Sequence, residues 1–160
     1  MSAISKKNEP LSPETLAGAP VSQPVKRVAL VTGGTGGIGT AICKKLAQQG
    51  HIVATTYRNE EKAREWQATL QKEGFTFHLY KCDVASFEDS QKMVKSVVQE
   101  LGPIHILINN AGTTRDSSLR KMTQEQWRDV ISSDLDSVFN VTRPVIDYML
   151  ETGFGRNIII

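Results

Sequence analysis

Residues 32–39 read Thr-Gly-Gly-Thr-Gly-Gly-Ile-Gly, directly behind the apolar run Val28-Ala-Leu-Val31. Glycine loses more backbone freedom on folding than any other residue, so this crowding must serve a purpose. A phosphate group needs backbone N–H donors, the positive end of a helix and no side chains in the way. A strand, a glycine turn and a helix start supply all three. Two spacings overlap in these letters, Gly34-x-Gly36-x-x-Gly39 and Thr32-Gly33-x-x-x-Gly37-x-Gly39. The first is the common dinucleotide-binding spacing, and a P-loop is excluded because no Lys-Ser or Lys-Thr follows Gly39. A glycine-rich turn can also be purely structural, and the rest of the chain has to decide.

Further groups able to do chemistry stand at Thr55-Thr-Tyr-Arg-Asn59, Cys82-Asp-Val84 and Asn109-Asn-Ala-Gly112. A site selective for NAD places Asp or Glu at the end of the second strand, where it binds the ribose 2′-hydroxyl and repels a 2′-phosphate. Here Tyr57 stands in that position with Arg58 beside it, and a guanidinium suits a phosphate dianion. The pattern predicts NADPH with Arg58 as the clamp; the alternative is a solvated arginine at a helix start. Cys43 and Cys82 lie in apolar-patterned segments without metal-type spacing and read as buried free thiols of a reducing compartment. No metal site is expected.

These groups must be held by regular elements, and hydrophobic periodicity supplies them. Strands are predicted at Arg27–Thr32, His51–Tyr57, Phe75–Tyr80, Ile104–Ile108 and from Arg156 to Ile160. A helix is predicted from Gly37 to Gln49, with Ile38, Ile42 and Leu46 on one face and Gly50 ending it. Asn59 is placed to cap a second helix that opens with Glu60 and Glu61. Ser86-Phe-Glu-Asp89 and Thr123-Gln-Glu-Gln126 are capping-box patterns. The first opens a helix carrying Val94, Val97, Val98 and Leu101. The second opens a helical region running to about Glu151, with a kink expected at Pro144. Strands alternating with helices of this length specify a doubly wound, Rossmann-like α/β domain with a parallel sheet, cut off after the start of the fifth strand. Such sheets bind ligands at the carboxyl ends of their strands, where residues 32–39 fall.

Residues 1–25 differ, holding Pro10, Pro13, Pro20 and Pro24 with no hydrophobic periodicity, and read as a disordered tail. Residues 26–160 form the expected domain. The chain's 160 residues, 39% hydrophobic and 22% charged with a net charge of +2, describe an ordinary globular protein without a nucleic-acid footprint. No apolar run approaches the roughly 20 residues of a membrane span. The tail lacks a secretory or transit composition, so a cytoplasmic location is the expectation.

Thr32-Gly33-x-x-x-Gly37-x-Gly39, Asp83 after the third strand and Asn109-Asn-Ala-Gly112 closing the fourth occur in one order. In this combination the chain, from about Lys26 onward, resembles the short-chain dehydrogenase/reductase superfamily. The run Asn109–Asp116, with Val138-Phe-Asn-Val-Thr142 and Trp127, is most similar to acetoacetyl-CoA reductases and 3-oxoacyl-[acyl-carrier-protein] reductases. The resemblance implies that Gly33, Gly37 and Gly39 form the turn under the pyrophosphate, with the Ile38 N–H contributing. Gly34 and Gly36 then read as permissive turn positions. Asp83 would meet the adenine amino group beside Val84, while Asn109, Ala111 and Gly112 would line the ribose and the path to the nicotinamide. For Asn109 and Asn110 a sheet-locking role is equally implied.

The resemblance also implies a Ser…Tyr-x-x-x-Lys arrangement after the fifth strand. None of Tyr57, Tyr80 and Tyr148 has a lysine four residues on. The chain therefore reads as the cofactor half of a reductase, a fragment inactive alone. Asp134 stands where the family has a catalytic Asn whose backbone carbonyl holds a relay water. It is either a weakened relay residue or a plain helix position. The expected activity of the complete protein is NADPH-dependent reduction of a 3-oxoacyl thioester by a homotetramer. Arg115, Asp116 and Arg120 would lie near the cleft for the acyl carrier or for subunit contacts. The alternatives are a non-catalytic nucleotide-binding or interaction protein, or a reductase of another ketone.

Overall fold

A computed structural model describes residues 25–160, so the expected tail lies outside the described residues up to Val25. Five strands alternate with helices: β1 (Val28–Val31), α1 (Gly37–Gln48), β2 (Ile52–Tyr57), α2 (Glu60–Lys72), β3 (His78–Lys81), α3 (Phe87–Leu101), β4 (Ile104–Asn109), α4 (Gln124–Ile131), α5 (Ser137–Glu151) and β5 (Arg156–Ile159). All neighbours pair in parallel, in the order β3-β2-β1-β4-β5. The order reverses at β1, which lies between β2 and β4. A crevice therefore opens at the carboxyl ends of these strands, and the glycine turn follows β1 into it.

β1 is apolar throughout because both of its faces are covered. Val28 and Leu30 join Ala54, Val94, Val97, Leu107, Val141 and Val145 in one core cluster. Their neighbour Val31 joins Cys43, Val53, Leu70, Phe77 and Ile108 in the other. Full burial of each such aliphatic side chain contributes about 1.5–3 kcal/mol. Three helix starts are capped as the sequence requires. Asn59 Oδ1 accepts from the Lys62 N–H at 3.0 Å, and Ser86 Oγ accepts from the Asp89 N–H at 3.2 Å. Thr123 and Gln126 bond each other reciprocally.

Two expectations change. β3 begins at His78 rather than Phe75, because Phe75 and Phe77 are used as packing against α2. Their rings stack at 5.9 Å, Phe77 lies 5.2 Å from Trp66, and the Phe75 N–H closes the end of α2 on the Leu70 carbonyl. The long helical region is interrupted ahead of Pro144, which lies inside α5. Residues Ser132–Asp136 form a π-helical turn joining α4 to α5. β5 is exposed along its length, and no helix among the described residues is long and apolar enough to cross a membrane.

Candidate nucleotide site

A cleft of about 540 Å³ opens where β1, β2, β3 and β4 end. Its floor is the glycine turn from Gly33 to Gly39, one wall is Thr56, Tyr57 and Arg58, and a second is Cys82, Asp83 and Val84. Asn110, Ala111, Gly112 and Ser133 close the remaining side. Gly33, Gly37, Ile38, Gly39, Tyr57, Arg58, Asp83, Val84, Ala111 and Gly112 are thus brought together from four segments. Asn109 is not among the lining residues. Its Nδ2 donates to Asn157 Oδ1 at 2.9 Å and to Thr142 Oγ1 at 3.2 Å, locking β4 to β5 and α5.

The start of α1 differs from those of α2, α3 and α4. Gly36 occupies its N-cap position with no side-chain cap, and the first helical bond runs from the Thr40 N–H to the Gly36 carbonyl. The N–H groups of Gly37, Ile38 and Gly39 precede that bond, and these three residues line the cleft at the positive end of the helix. A Cβ on Gly37 would meet nothing within 4 Å, so glycine there leaves room for a ligand rather than for the protein. These residues fit a dinucleotide diphosphate.

The other glycines answer to packing. Gly33 has φ +64°, and a Cβ there would lie 2.9 Å from the Ala111 Cα. At Gly34 a Cβ would overlap Thr55 Oγ1 and lie 2.8 Å from Cys43 Sγ. Gly34 is therefore required by the core and is not a permissive position, whereas a Cβ at Gly36 would only reach ordinary contact with the Gly33 carbonyl oxygen, at 3.5 Å. At Gly39 a Cβ would stand 2.6 Å from the Gly34 Cα and 2.9 Å from Asn110 Nδ2.

Polar side chains hold the turn: Thr32 and Asn110 of the sequence motifs, and the buried Thr56, which the spacing did not single out. Thr56 Oγ1 accepts the Gly33 N–H at 3.0 Å, and Asn110 Nδ2 donates to the Thr32 and Gly33 carbonyls at 2.9 and 3.2 Å. Thr32 Oγ1 accepts the N–H groups of Asn110 and Ala111, each at 3.0 Å. Asn140 on α5 is buried, and its Nδ2 donates to the Val84 and Ala85 carbonyls at 3.1 and 3.0 Å, fixing the loop that carries Asp83. An asparagine on the helix face that Val141, Val145 and Met149 make apolar is the signal that could have found it.

Asp134 lies in the π-helical turn, and its Oδ1 accepts the Thr113 N–H at 2.8 Å beside Gly112. Its carboxylate is a support for the loop after β4. Arg115 is likewise engaged, by Asp129 at 3.3 Å and by Thr113 and Thr114 at 3.1 Å. Among the described residues Arg58 has no ion-pair partner and is exposed at the cleft edge. Cys82 is 4% exposed where it lines the cleft, and burial pushes its thiol up to about 11. Burial likewise pushes the Cys43 thiol up to about 12, and both cysteines are free. Among the described residues no cluster of His, Cys, Asp and Glu could hold a metal ion.

The sequence pattern of the family described as short chain dehydrogenase matches residues 27–160. An acetoacetyl-CoA reductase of Allochromatium vinosum is 52% identical over 136 residues, covering 84% of this chain and 55% of the relative. An acetoacetyl-CoA reductase of Cupriavidus necator is 44% identical over 132 residues, covering 82% of this chain and 54% of that protein. Among solved structures, an actinorhodin polyketide ketoreductase with NADPH superposes with a TM-score of 0.79 at 37% identity, covering 84% of this chain and 52% of its own. A gluconate 5-dehydrogenase from Burkholderia cenocepacia in complex with NADP and tartrate gives 0.76 at 32% identity, covering 86% of this chain and 55% of its own. The chain spans about half the length of the curated relatives it matches.

Proposed function

The chain belongs to the short-chain dehydrogenase family, and from that premise we propose that the complete protein uses NADPH to reduce a 3-oxoacyl thioester of the acetoacetyl-CoA type. Residues 26–160 are its nucleotide-binding part. The observation that carries the reading is the start of α1, without a side-chain cap, sharing one cleft with the Arg58 guanidinium, which has no ion-pair partner among the described residues.

In this reading the Gly37, Ile38 and Gly39 N–H groups donate to the pyrophosphate, and the missing side chain at Gly37 admits it. Arg58 and Tyr57 take the adenosine ribose with its 2′-phosphate, where an acidic residue would repel that group. Asp83 and Val84 hold the adenine, with Asn140 fixing their loop. Ala111 and Gly112 border the nicotinamide side, and Asp134 keeps the loop after Gly112 in place through the Thr113 N–H. The backbone carbonyl of Asp134 is assigned to a relay water. The nicotinamide, when bound, supplies the hydride that reduces the substrate carbonyl. The proton donor is not among these residues, since none of the tyrosines opens a Tyr-x-x-x-Lys arrangement. On this reading residues 26–160 bind and orient the cofactor without turning over, and the complete protein is a homotetramer.

The test is oxidation of NADPH on adding acetoacetyl-CoA to the complete protein, followed by light absorption. Turnover with NADPH and a thioester supports the reading. Tight nucleotide binding without turnover of any ketone would favour a non-catalytic nucleotide-binding protein instead.

A further inference from the structure

Arg27, His51, His105, Phe154 and Arg156 stand at the amino-terminal end of the strands, the opposite end of the sheet from the nucleotide cleft. The Arg27 guanidinium lies 3.8 Å from the Phe154 ring centroid, and that of Arg156 lies 4.7 Å from the same ring. The His105 ring is 6.4 Å from it. Among the described residues neither arginine has a carboxylate within ion-pair distance.

The pairing of β1 with β4 breaks register at this point. Val28 pairs with Ile104 and Ala29 with Ile106, which leaves His105 as the extra residue of a bulge. The Val28 N–H donates instead to the His105 ring, at 3.4 Å from Nδ1. Only an unprotonated ring nitrogen can accept that bond. On the other side of β1, before β2, His51 has its Nδ1 buried with no hydrogen-bond partner among the described residues. Burial, and after it the charge of Arg27, favours the neutral form of both histidines. At His105 the Pro103 carbonyl acts the other way and more weakly, as an acceptor for the protonated ring.

We propose that this end of the sheet is an acid-operated latch: the neutral His105 ring holds the first residue of β1, and its protonation releases Val28 and the segment entering through Arg27. The ring exchanges one partner for another, ceasing to accept from Val28 and donating to the Pro103 carbonyl. The added charge joins two guanidiniums set against the Phe154 ring, with no carboxylate in ion-pair distance of either among the described residues. The sign follows from proton binding. With both histidines held below their ordinary value of 6.5, the fold takes up fewer protons than the unfolded chain as the solution acidifies. The latch is fully engaged above that value and is lost as the pH falls further. β1 carries the glycine turn at its far end, so loosening Val28 loosens the strand that presents the nucleotide turn.

The experiment is hydrogen exchange at the Val28 amide, corrected for its intrinsic rate, from about pH 7.5 to about pH 4.5. Ring NMR titrations of His105 and His51 are recorded on the same protein. The latch predicts that protection falls at least about tenfold, with the midpoint of the His105 titration. It also predicts no pH-dependent loss in His105→Asn, whose amide oxygen accepts without titrating. Protection that ignores pH, follows His51, or falls equally in His105→Asn overturns the proposal. If His105→Asn does not fold, the match of midpoints in the unaltered protein decides alone.

Discussion

The backbone N–H of Gly33 donates to Thr56 Oγ1 at 3.0 Å, tying the glycine turn behind β1 to the end of β2. Asn110 holds the carbonyl of the same glycine from β4, at 3.2 Å. The turn is therefore set from both neighbouring strands, and Thr56 does so two residues before Arg58. The groups that would grip the two ends of an adenosine phosphate are positioned through one threonine.

Thr56→Val keeps the shape of the side chain and removes the acceptor. It leaves the Gly33 N–H without its partner beside a side chain only 2% exposed, a loss of about 1–3 kcal/mol. Urea denaturation is expected to show that loss, with weaker NADPH binding, and Thr56→Ser is expected to restore most of both. A Val variant as stable as the parent would mean that the bond does not hold the turn.

Substitutions along the glycine turn should separate packing from ligand access. Gly34→Ala places a methyl group against Thr55, whose hydroxyl is fixed on the Val31 carbonyl at 2.8 Å, and against buried Cys43. Overpacking there is expected to cost about 1–3 kcal/mol. Gly37→Ala has open space around it and is expected to leave the unfolding free energy nearly unchanged while weakening nucleotide binding. Equal effects of the two changes on stability would contradict this division.

Much of this was legible in the letters. The strand–helix alternation, the three side-chain caps and the crevice at the end of β1 follow from local patterns that tertiary packing reinforces. The start of β3 departs from the pattern because Phe75 and Phe77 fit a strand equally well, and the position of Trp66 on α2 shows them to be packing. Gly34 departs from its expectation for a similar reason. A fingerprint spacing reports where a ligand needs room, whereas the contact of Gly34 with Thr55 and Cys43 joins residues distant in sequence. The π-helical turn at Ser132–Asp136 has no periodic signature of its own, and Pro144 is accommodated inside α5.

The two thiols carry a pH dependence of known sign. Burial pushes Cys43 up to about 12 and Cys82 up to about 11, from an ordinary 9.0. Above that ordinary value the unfolded chain loses thiol protons that the fold retains, so this contribution is complete below about pH 9 and is lost as the pH rises through 11 and 12. Near pH 8 a disulfide reagent is expected to find neither thiol in the folded protein and both in urea. Because Cys82 lines the cleft, any slow reaction in the fold should begin there and be slowed by NADPH. Rapid reaction of Cys43 first would contradict the packing.

Asp134→Asn retains an oxygen able to accept the Thr113 N–H, and Asp134→Ala does not. The Asn variant is expected to match the parent in thermal unfolding, while the Ala variant loses roughly 0.5–1.5 kcal/mol. If both variants fall together, the carboxylate charge rather than the hydrogen bond supports the loop.

The central claim is that the cleft is shaped for a dinucleotide with a 2′-phosphate held by Arg58. Its most direct test is a fluorescence titration of the protein and of Arg58→Ala with NADPH and with NADH. The account predicts that NADPH binds more tightly to the parent and that Arg58→Ala loses about tenfold or more of that preference with NADH binding nearly unchanged. A preference for NADPH that survives the substitution intact would contradict it.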